Sequence, residues 1–520
     1  MALDALALTG LAYTAYVYAT RRSRRHPYPP GPKGLPIIGN ILDMPKEREW
    51  EVYHQMCKEL DTDILHLCVA GTHIVVLDTY EVASDLLEKR STIYSGRPRL
   101  PMVVELMGWD YNFGFMDYGD RWRAHRRLMH NSFHPTAALK FRPHELEASR
   151  VLVKRIYEEP DDLLESLRIF SGEIIMSSTY GLSISSKSSK YINLSREAID
   201  PVVPALVPGT YLVDVIPALK YVPDWFPGAK FKRIARENRK MAMKVREVPF
   251  ADTKSEIATG VARLSFCRTS LEMARTLEAE QMLEREELIK NVAGTLYGAG
   301  ADSTMATVGT CILALLNHPE VLRKAHEELD RVLKQGALPD FEDMENLPYI
   351  TAIVKESMRW RDTAPLGLPH VSQVDDVYKG YRIPKGSIVI PNAWAMLHDE
   401  DIYADPLSFK PERFLKRVET KDGIRYELDK SVRDPSFAIW GFGRRICPGR
   451  YMAASAIWMA VASLLAAFDF TQFEDGSPDL NHPYMPGGLR VPKPFKCKIR
   501  PRSPEIERSI QSIDADLGIL

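Results

Sequence analysis

The chain is poor in cysteine: its six residues, at 57, 68, 267, 311, 447 and 497, lie far apart and share no paired spacing. That pattern implies neither a disulfide framework nor a zinc site, and it fits a reducing, cytosol-facing location. An excess of one sign of charge is also lacking. A formal net charge of −1 argues against nucleic acid as a partner and against a strongly polarised surface. No G-x-G-x-x-G opens a βαβ pattern and no Walker loop occurs, so no flavin, nicotinamide or nucleotide domain is expected. What remains is ordinary globular composition, 45% hydrophobic and 26% charged over 520 residues. Length alone allows two to four domains or one large α-rich unit.

Free-standing apolar runs are scarce too, residues 2–20 being the one membrane candidate. As a helix they would reach about 28 Å at roughly 1.5 Å per residue, close to a bilayer's hydrocarbon thickness. Arg21, Arg22, Arg24 and Arg25 follow the run, whereas a cleaved signal peptide carries its charge in front. The positive-inside rule then places everything C-terminal in the cytosol. Asp4 weakens the span, and an interfacial helix is the competing reading. The Pro-rich stretch from Pro27 to Pro36 reads as a stiff spacer.

Chemistry concentrates at Trp440-Gly441-Phe442-Gly443-Arg444-Arg445-Ile446-Cys447-Pro448-Gly449-Arg450, a cramped loop running into a helix. Pro448 suits a first helical position. Met452, Ala456, Ile457, Ala460, Val461, Leu464 and Leu465 then recur at the spacing of a buried helix. Cys447 thus precedes a helix N-terminus, whose amides and dipole favour a thiolate, a good soft ligand for a metal. A lone cysteine is more often a small buried hydrophobe.

Three further clusters stand out. Trp122 and Arg126 are four apart and share a helix face. Residues 286–317 read as one helix ended by Asn317-His318-Pro319, with Gly294, Gly298, Gly300 and Asp302 near its middle. Each interior glycine costs roughly 1 kcal/mol against alanine, so three need a reason. Close approach of a flat ligand is one, and tight helix packing is the other. Glu356 and Arg359 are three apart on another helix, with Lys410-Pro411-Glu412-Arg413-Phe414 between them and Cys447. Residues 64–69 and 73–78 suggest a hairpin turning at Ala70-Gly71-Thr72, and Gly386 to Pro391 a further strand. The tail after Arg500 is polar and expected to be loosely ordered.

Taken together these clusters resemble the cytochrome P450 family. Gly443-x-Arg445-x-Cys447-x-Gly449 is similar to its haem-binding loop F-x-x-G-x-R-x-C-x-G, with Trp440 in place of the usual Phe. Ala299-Gly300-Ala301-Asp302-Ser303-Thr304 resembles its oxygen-binding groove A-G-x-D-T-T, with Ser303 for the usual Thr. The wording of these motifs, with the anchor and the P-P-G-P hinge, is closest to fungal, basidiomycete-type microsomal members. The resemblance implies a mainly α fold with a small β region, a triangular helical prism behind an N-terminal membrane anchor. It divides the chain into an anchor (2–20), a basic and Pro-rich hinge (21–40), a haem-thiolate monooxygenase domain (41–500) and the tail (501–520).

The resemblance also assigns roles. Cys447 would be the axial ligand of haem b, with Arg445, Trp440, Gly443 and Gly449 around it, and Trp122, Arg126 and His370 would pair with the propionates. Asp302, Ser303 and Thr304 would deliver protons during oxygen activation. Serine keeps the hydroxyl but loses the β-methyl that restricts χ1, which bears on coupling. Glu356, Arg359 and Arg413 would form a structural charge triad. Leu100, Met102, Val103, Leu106, Trp109, Phe113, Phe115, Leu206, Leu296, Ala299, Leu366 and Met485 would wall an apolar substrate cavity. The expected reaction is insertion of one oxygen atom from O2 into a terpenoid, steroid, fatty or polycyclic aromatic compound. Electrons would come from NADPH through a separate reductase, with cytochrome b5 as a further partner, at the endoplasmic reticulum membrane. The reductase would dock near Arg121, Arg123, Arg444 and Arg450. A haem-thiolate isomerase or dehydratase, and a non-catalytic haem-binding protein, stay open as alternatives that would not need Asp302 and Ser303.

Overall fold

A computed structural model describes residues 26–184, 189–206, 209–420 and 423–516. The proposed anchor at 2–20 and its arginines lie outside these residues. The fold makes two compact units, one from the described residues up to Gly96 with Pro369–Asn392, the other from Arg97–Leu368 with Ala393 onward.

The first unit holds α1 (Glu49–Glu59), β1 (Ile64–Val69), β2 (Thr72–Leu77), β3 (His370–Val371), β4 (Asp376–Tyr378), β5 (Tyr381–Ile383) and β6 (Ile388–Pro391). Its main sheet runs β1-β2-β6-β3, with β2 parallel to β6 and the other pairs antiparallel. The expected hairpin is present, but Thr72 belongs to β2, and the turn is Ala70-Gly71 alone, both at positive φ (47° and 86°). Two left-handed residues give the primed turn whose twist suits adjacent strands. The Pro-rich stretch is no bare spacer. Pro30 O accepts the His66 amide at 2.8 Å, and Tyr28 stacks on the His66 ring at 4.7 Å.

The second unit is mainly helical: α2 (Asp120–Phe133), α3 (Arg142–Glu158), α4 (Leu163–Tyr180), α5 (Lys190–Ile199), α6 (Lys230–Thr259), α7 (Phe266–Ala274), α8 (Ala279–Leu316), α9 (Pro319–Val332), α10 (Pro348–Trp360), α11 (Arg450–Ala467) and α12 (Pro504–Asp516) are its longer helices. The central helix α8 starts two turns before the expected residue 286, because its polar first turns lie outside the apolar pattern. It and α11 are long and apolar enough to cross a membrane, yet 78% and 72% of their apolar windows are buried in the protein. Along those windows both are core helices.

The glycines of α8 answer to packing, not to a flat ligand. A β-carbon on Gly300 would lie 2.3 Å from Ile175 Cδ1 of α4, and one on Gly298 would meet the Trp109 ring at 3.1 Å. The tail also departs from expectation. Residues 504–516 form α12, which buries Ile506, Ile510 and Ile513 on one side. Three apolar residues at a spacing of three to four are enough to dock an otherwise polar helix.

Candidate active site

The loop before α11 is built by its glycines. Gly441 (φ 74°) and Gly443 (φ 52°) take left-handed conformations, and the chain doubles back so that the Cys447 amide donates to Trp440 O at 2.7 Å. Gly449 then caps α11, and the Gly449 and Arg450 amides are directed at the sulfur. Burial nevertheless pushes the Cys447 thiol above its ordinary value, outweighing those amides and the charges of Arg126 and Arg450. Helix-terminal electrostatics alone thus do not make the thiolate, and a bound cation would have to complete it. The side chain is deeply placed yet keeps accessible surface.

Beside it lies a cluster of guanidiniums. Arg126 on α2 is half-buried, held down to about 10 by burial, and is the group whose charge most affects Cys447. Among the described residues no carboxylate stands at ion-pair distance from it. Trp122, one turn earlier on the same face, is buried under the Arg445 guanidinium, 4.4 Å from its ring centroid. Arg445, also lowered to about 10 by burial, donates to Met116 O at 2.7 Å. Sequence reasoning missed Arg97. It donates to Gly114 O and Leu368 O (3.1 and 2.9 Å), and burial, then Arg445, lowers it to about 9. Only its place, Ser95-Gly96-Arg97-Pro98 just before the apolar loop, could have signalled it. Asp117 offsets the charge of Arg445 in part, whereas Arg126, with no carboxylate at ion-pair distance among the described residues, calls for an anionic group.

Within the buried stretch of α8 from Ile289 to Leu316, the turn Gly298–Ser303 is the least buried part, and Ala299 is exposed. Asp302 faces α4, its Oδ1 3.5 Å from Arg168 Nε. The two line a small cavity with Gly172, Arg196, Asp200 and Tyr297. Burial raises the Asp302 carboxyl above its ordinary value, and Arg168 offsets this only in part. The hydroxyl on an i−4 carbonyl is not Ser303's but that of Thr307, which donates to Ser303 O at 3.0 Å. The Ser303 hydroxyl makes no hydrogen bond among the described residues. Successive helical residues point about 100° apart, so Thr304, which is buried, cannot share a face with Asp302.

Glu356 and Arg359 are fully buried and bidentate at 2.8 and 2.9 Å, and Arg413 Nε adds bonds of 3.1 and 3.0 Å to both oxygens. Arg359 also donates to Leu397 O, and the Lys410 amide to Glu356, which pins the segment that leads to the cysteine loop. His370, in the first unit, is buried with Nδ1 2.7 Å from Tyr94 O.

The apolar set divides. Met102, Val103, Phe113 and Leu296 are buried core, while Leu100, Leu106, Phe115, Leu206 and Leu366 are half-buried. Trp109 is committed elsewhere, bonding Asn238 and packing on Gly298, and Met485 is 49% exposed. Of the basic residues assigned to docking, Arg121, Arg123 and Arg444 are exposed, whereas Arg450 donates to Cys447 O at 2.8 Å.

A mainly helical fold that brings a cysteine at a helix N-terminus beside buried guanidiniums, under a long helix with an internal acid, is the architecture of a haem-thiolate oxygenase. The chain matches the family model for cytochrome P450 over residues 29–499 and belongs to that family. It is 42% identical to cytochrome P450 monooxygenase 98 of Postia placenta, over 97% of this chain and 96% of that one. It is also 42% identical to cytochrome P450 monooxygenase ple1 of Rhodocybe pseudopiperita (98% and 96% covered). Similarity to the tryptamine 4-monooxygenase of Psilocybe cyanescens is 39%, over 98% and 99%. The protein is accordingly a monooxygenase, an oxidoreductase, and its family implies haem with a cysteine thiolate ligand.

Proposed function

We propose that the protein inserts one oxygen atom from O2 into a lipophilic small molecule, using electrons from NADPH passed on by a separate reductase. The observation that carries this reading is Cys447 at the N-terminus of α11, deep yet accessible, next to an Arg126 that has no carboxylate partner among the described residues. These residues fit a haem, an iron bearing two carboxylates. Cys447 would ligate its iron, with Arg126, Arg97, Arg445 and the Trp122 indole as its propionate partners. When bound, the haem supplies the iron at which dioxygen is activated, made electron-rich by the thiolate.

The remaining work falls to α8. Asp302, held toward its protonated form by burial, would take a proton from the side of Arg168 and pass it to the Ser303 hydroxyl. The half-buried Leu100, Leu106, Phe115 and Leu366 support an apolar substrate. One relative is named for tryptamine, so aromatic amines join terpenoids, steroids and fatty compounds as candidates. Residues 2–20 with the following arginines, and the exposed Leu212, Ile216, Tyr221, Trp225 and Phe226, support residence at the endoplasmic reticulum membrane.

The test is consumption of NADPH and O2 with hydroxylated product by protein reconstituted with a reductase, screened on a panel chosen by substrate-induced spectral shift. Product should vanish in Cys447→Ala together with the thiolate signature of the carbon monoxide complex. An isomerase would instead turn over peroxides with neither NADPH nor Asp302.

A further inference from the structure

Three stretches of the second unit meet in one polar knot against α8. Thr307 Oγ1 lies 3.0 Å from Ser303 O and 2.9 Å from Thr363 Oγ1. A hydroxyl owns one proton, and a carbonyl oxygen only accepts. The Thr307 proton therefore goes to Ser303, and Thr363 donates to Thr307. The order of donation is Thr363 to Thr307 to the Ser303 carbonyl. That carbonyl already serves the helix, and side-chain back-bonding onto it loosens α8 one turn beyond Asp302 and Ser303.

Thr363 is itself held in place. Its carbonyl accepts the Arg490 amide at 2.8 Å. The preceding Asp362 is 2% exposed, with Oδ1 3.7 Å from Arg490 Nη1. The segment of Arg490 is tied back to α8 through Tyr484, whose hydroxyl lies 3.3 Å from Thr310 Oγ1 and accepts from Arg361 at 3.2 Å. A threonine so anchored presents its hydroxyl in one direction, the more so because its β-methyl limits χ1.

We propose that Thr363 is a positioning residue for oxygen insertion: acting through Thr307, it sets the backbone of α8 at Ser303 and so aims the Ser303 hydroxyl. This rests on Asp302 and Ser303 being the proton donors. Product formed per NADPH consumed, peroxide released, and amide exchange over residues 299–307 are measured for Thr363→Val and Thr363→Ser in the full-length holoenzyme. The substrate probe is the panel compound that gives the largest spectral shift.

Thr363→Val should lower product per NADPH about fivefold, roughly the factor one neutral hydrogen bond contributes, with a matching rise in peroxide and, because the back-bond that loosens α8 is weakened, slower exchange at 299–307. KM should stay within about twofold and haem content should not change. Thr363→Ser should restore coupling. Thr307→Val should reproduce the loss, and the double variant should be no worse than either single one. Unchanged coupling in Thr363→Val, additive losses in the double variant, or equal losses in the serine variant would each overturn the proposal. Should Thr363→Val fail to hold haem, Thr307→Val tests the same bond from its other end. If Asp302→Asn keeps full coupling, the proton-donor reading itself falls, an outcome distinct from failure at Thr363 alone.

Discussion

Asp302 in the middle of α8 faces Arg168 across the α4–α8 contact, 3.5 Å from carboxylate oxygen to guanidinium nitrogen. Burial lifts the Asp302 carboxyl and Arg168 pulls it back down. The acid's protonation is thus set mainly by these two opposed effects, with smaller contributions from Asp200 and Arg196, and Arg168 can be removed without touching the acid. In Arg168→Gln the carboxyl should hold its proton to higher pH. The alkaline limb of product per NADPH should move upward, and Asp302→Asn should abolish that limb while lowering coupling at least about tenfold, at the low end for general acids. A limb that stays in place in Arg168→Gln would detach Asp302 from proton delivery.

Arg126 makes a prediction of two opposite signs. Its burial without a carboxylate costs the haem-free protein stability, while the same charge would hold a propionate. Arg126→Leu should leave the thermal stability of the apoprotein unchanged or raised, and should weaken haem retention about tenfold or more, measured by transfer to apomyoglobin. A variant destabilised in both states would show that the arginine serves the fold alone.

Glu356 and Arg359 are fully desolvated and the Arg413 side chain nearly so, so removing one member strands the others. Glu356→Gln should cost roughly 3–5 kcal/mol, the usual penalty for breaking a buried pair. The readouts are the denaturant midpoint and the haem content of the expressed protein. A loss below about 1 kcal/mol would place the triad among ordinary surface pairs.

Glu145 on α3 is fully buried, its carboxyl oxygens meet no well-formed hydrogen-bond partner among the described residues, and burial pushes it up to about 8 against weaker offsets from the Ser455 hydroxyl and Arg142. Its folded value lies above its unfolded one, so the folded state binds the extra proton between the ordinary carboxylate range and about 8. Stability should fall as pH rises through that window and level off above it. Glu145→Gln should remove this dependence and be the more stable protein at pH 9, as read from denaturant midpoints across pH. Equal slopes in the two proteins would refute the assignment.

What the sequence by itself determined are the features that local chain geometry can express. The Cys447 loop was legible because glycines at left-handed positions and a Pro-Gly pair before an apolar run lie within eleven residues. Trp122 with Arg126, and Glu356 with Arg359, were legible because helical periodicity alone puts each pair on one face. The tertiary structure decided the rest. Whether Gly298 and Gly300 served a ligand or packing depended on Trp109 and Ile175, which come from other parts of the chain. The partner of Asp302, the knot at Thr363, the burial of Arg97 and the docking of the polar tail as α12 depend likewise on which surfaces meet. An isolated residue carries its chemistry in its side chain, but its pKa, its partners and its freedom to move are set by neighbours that only the packed fold supplies.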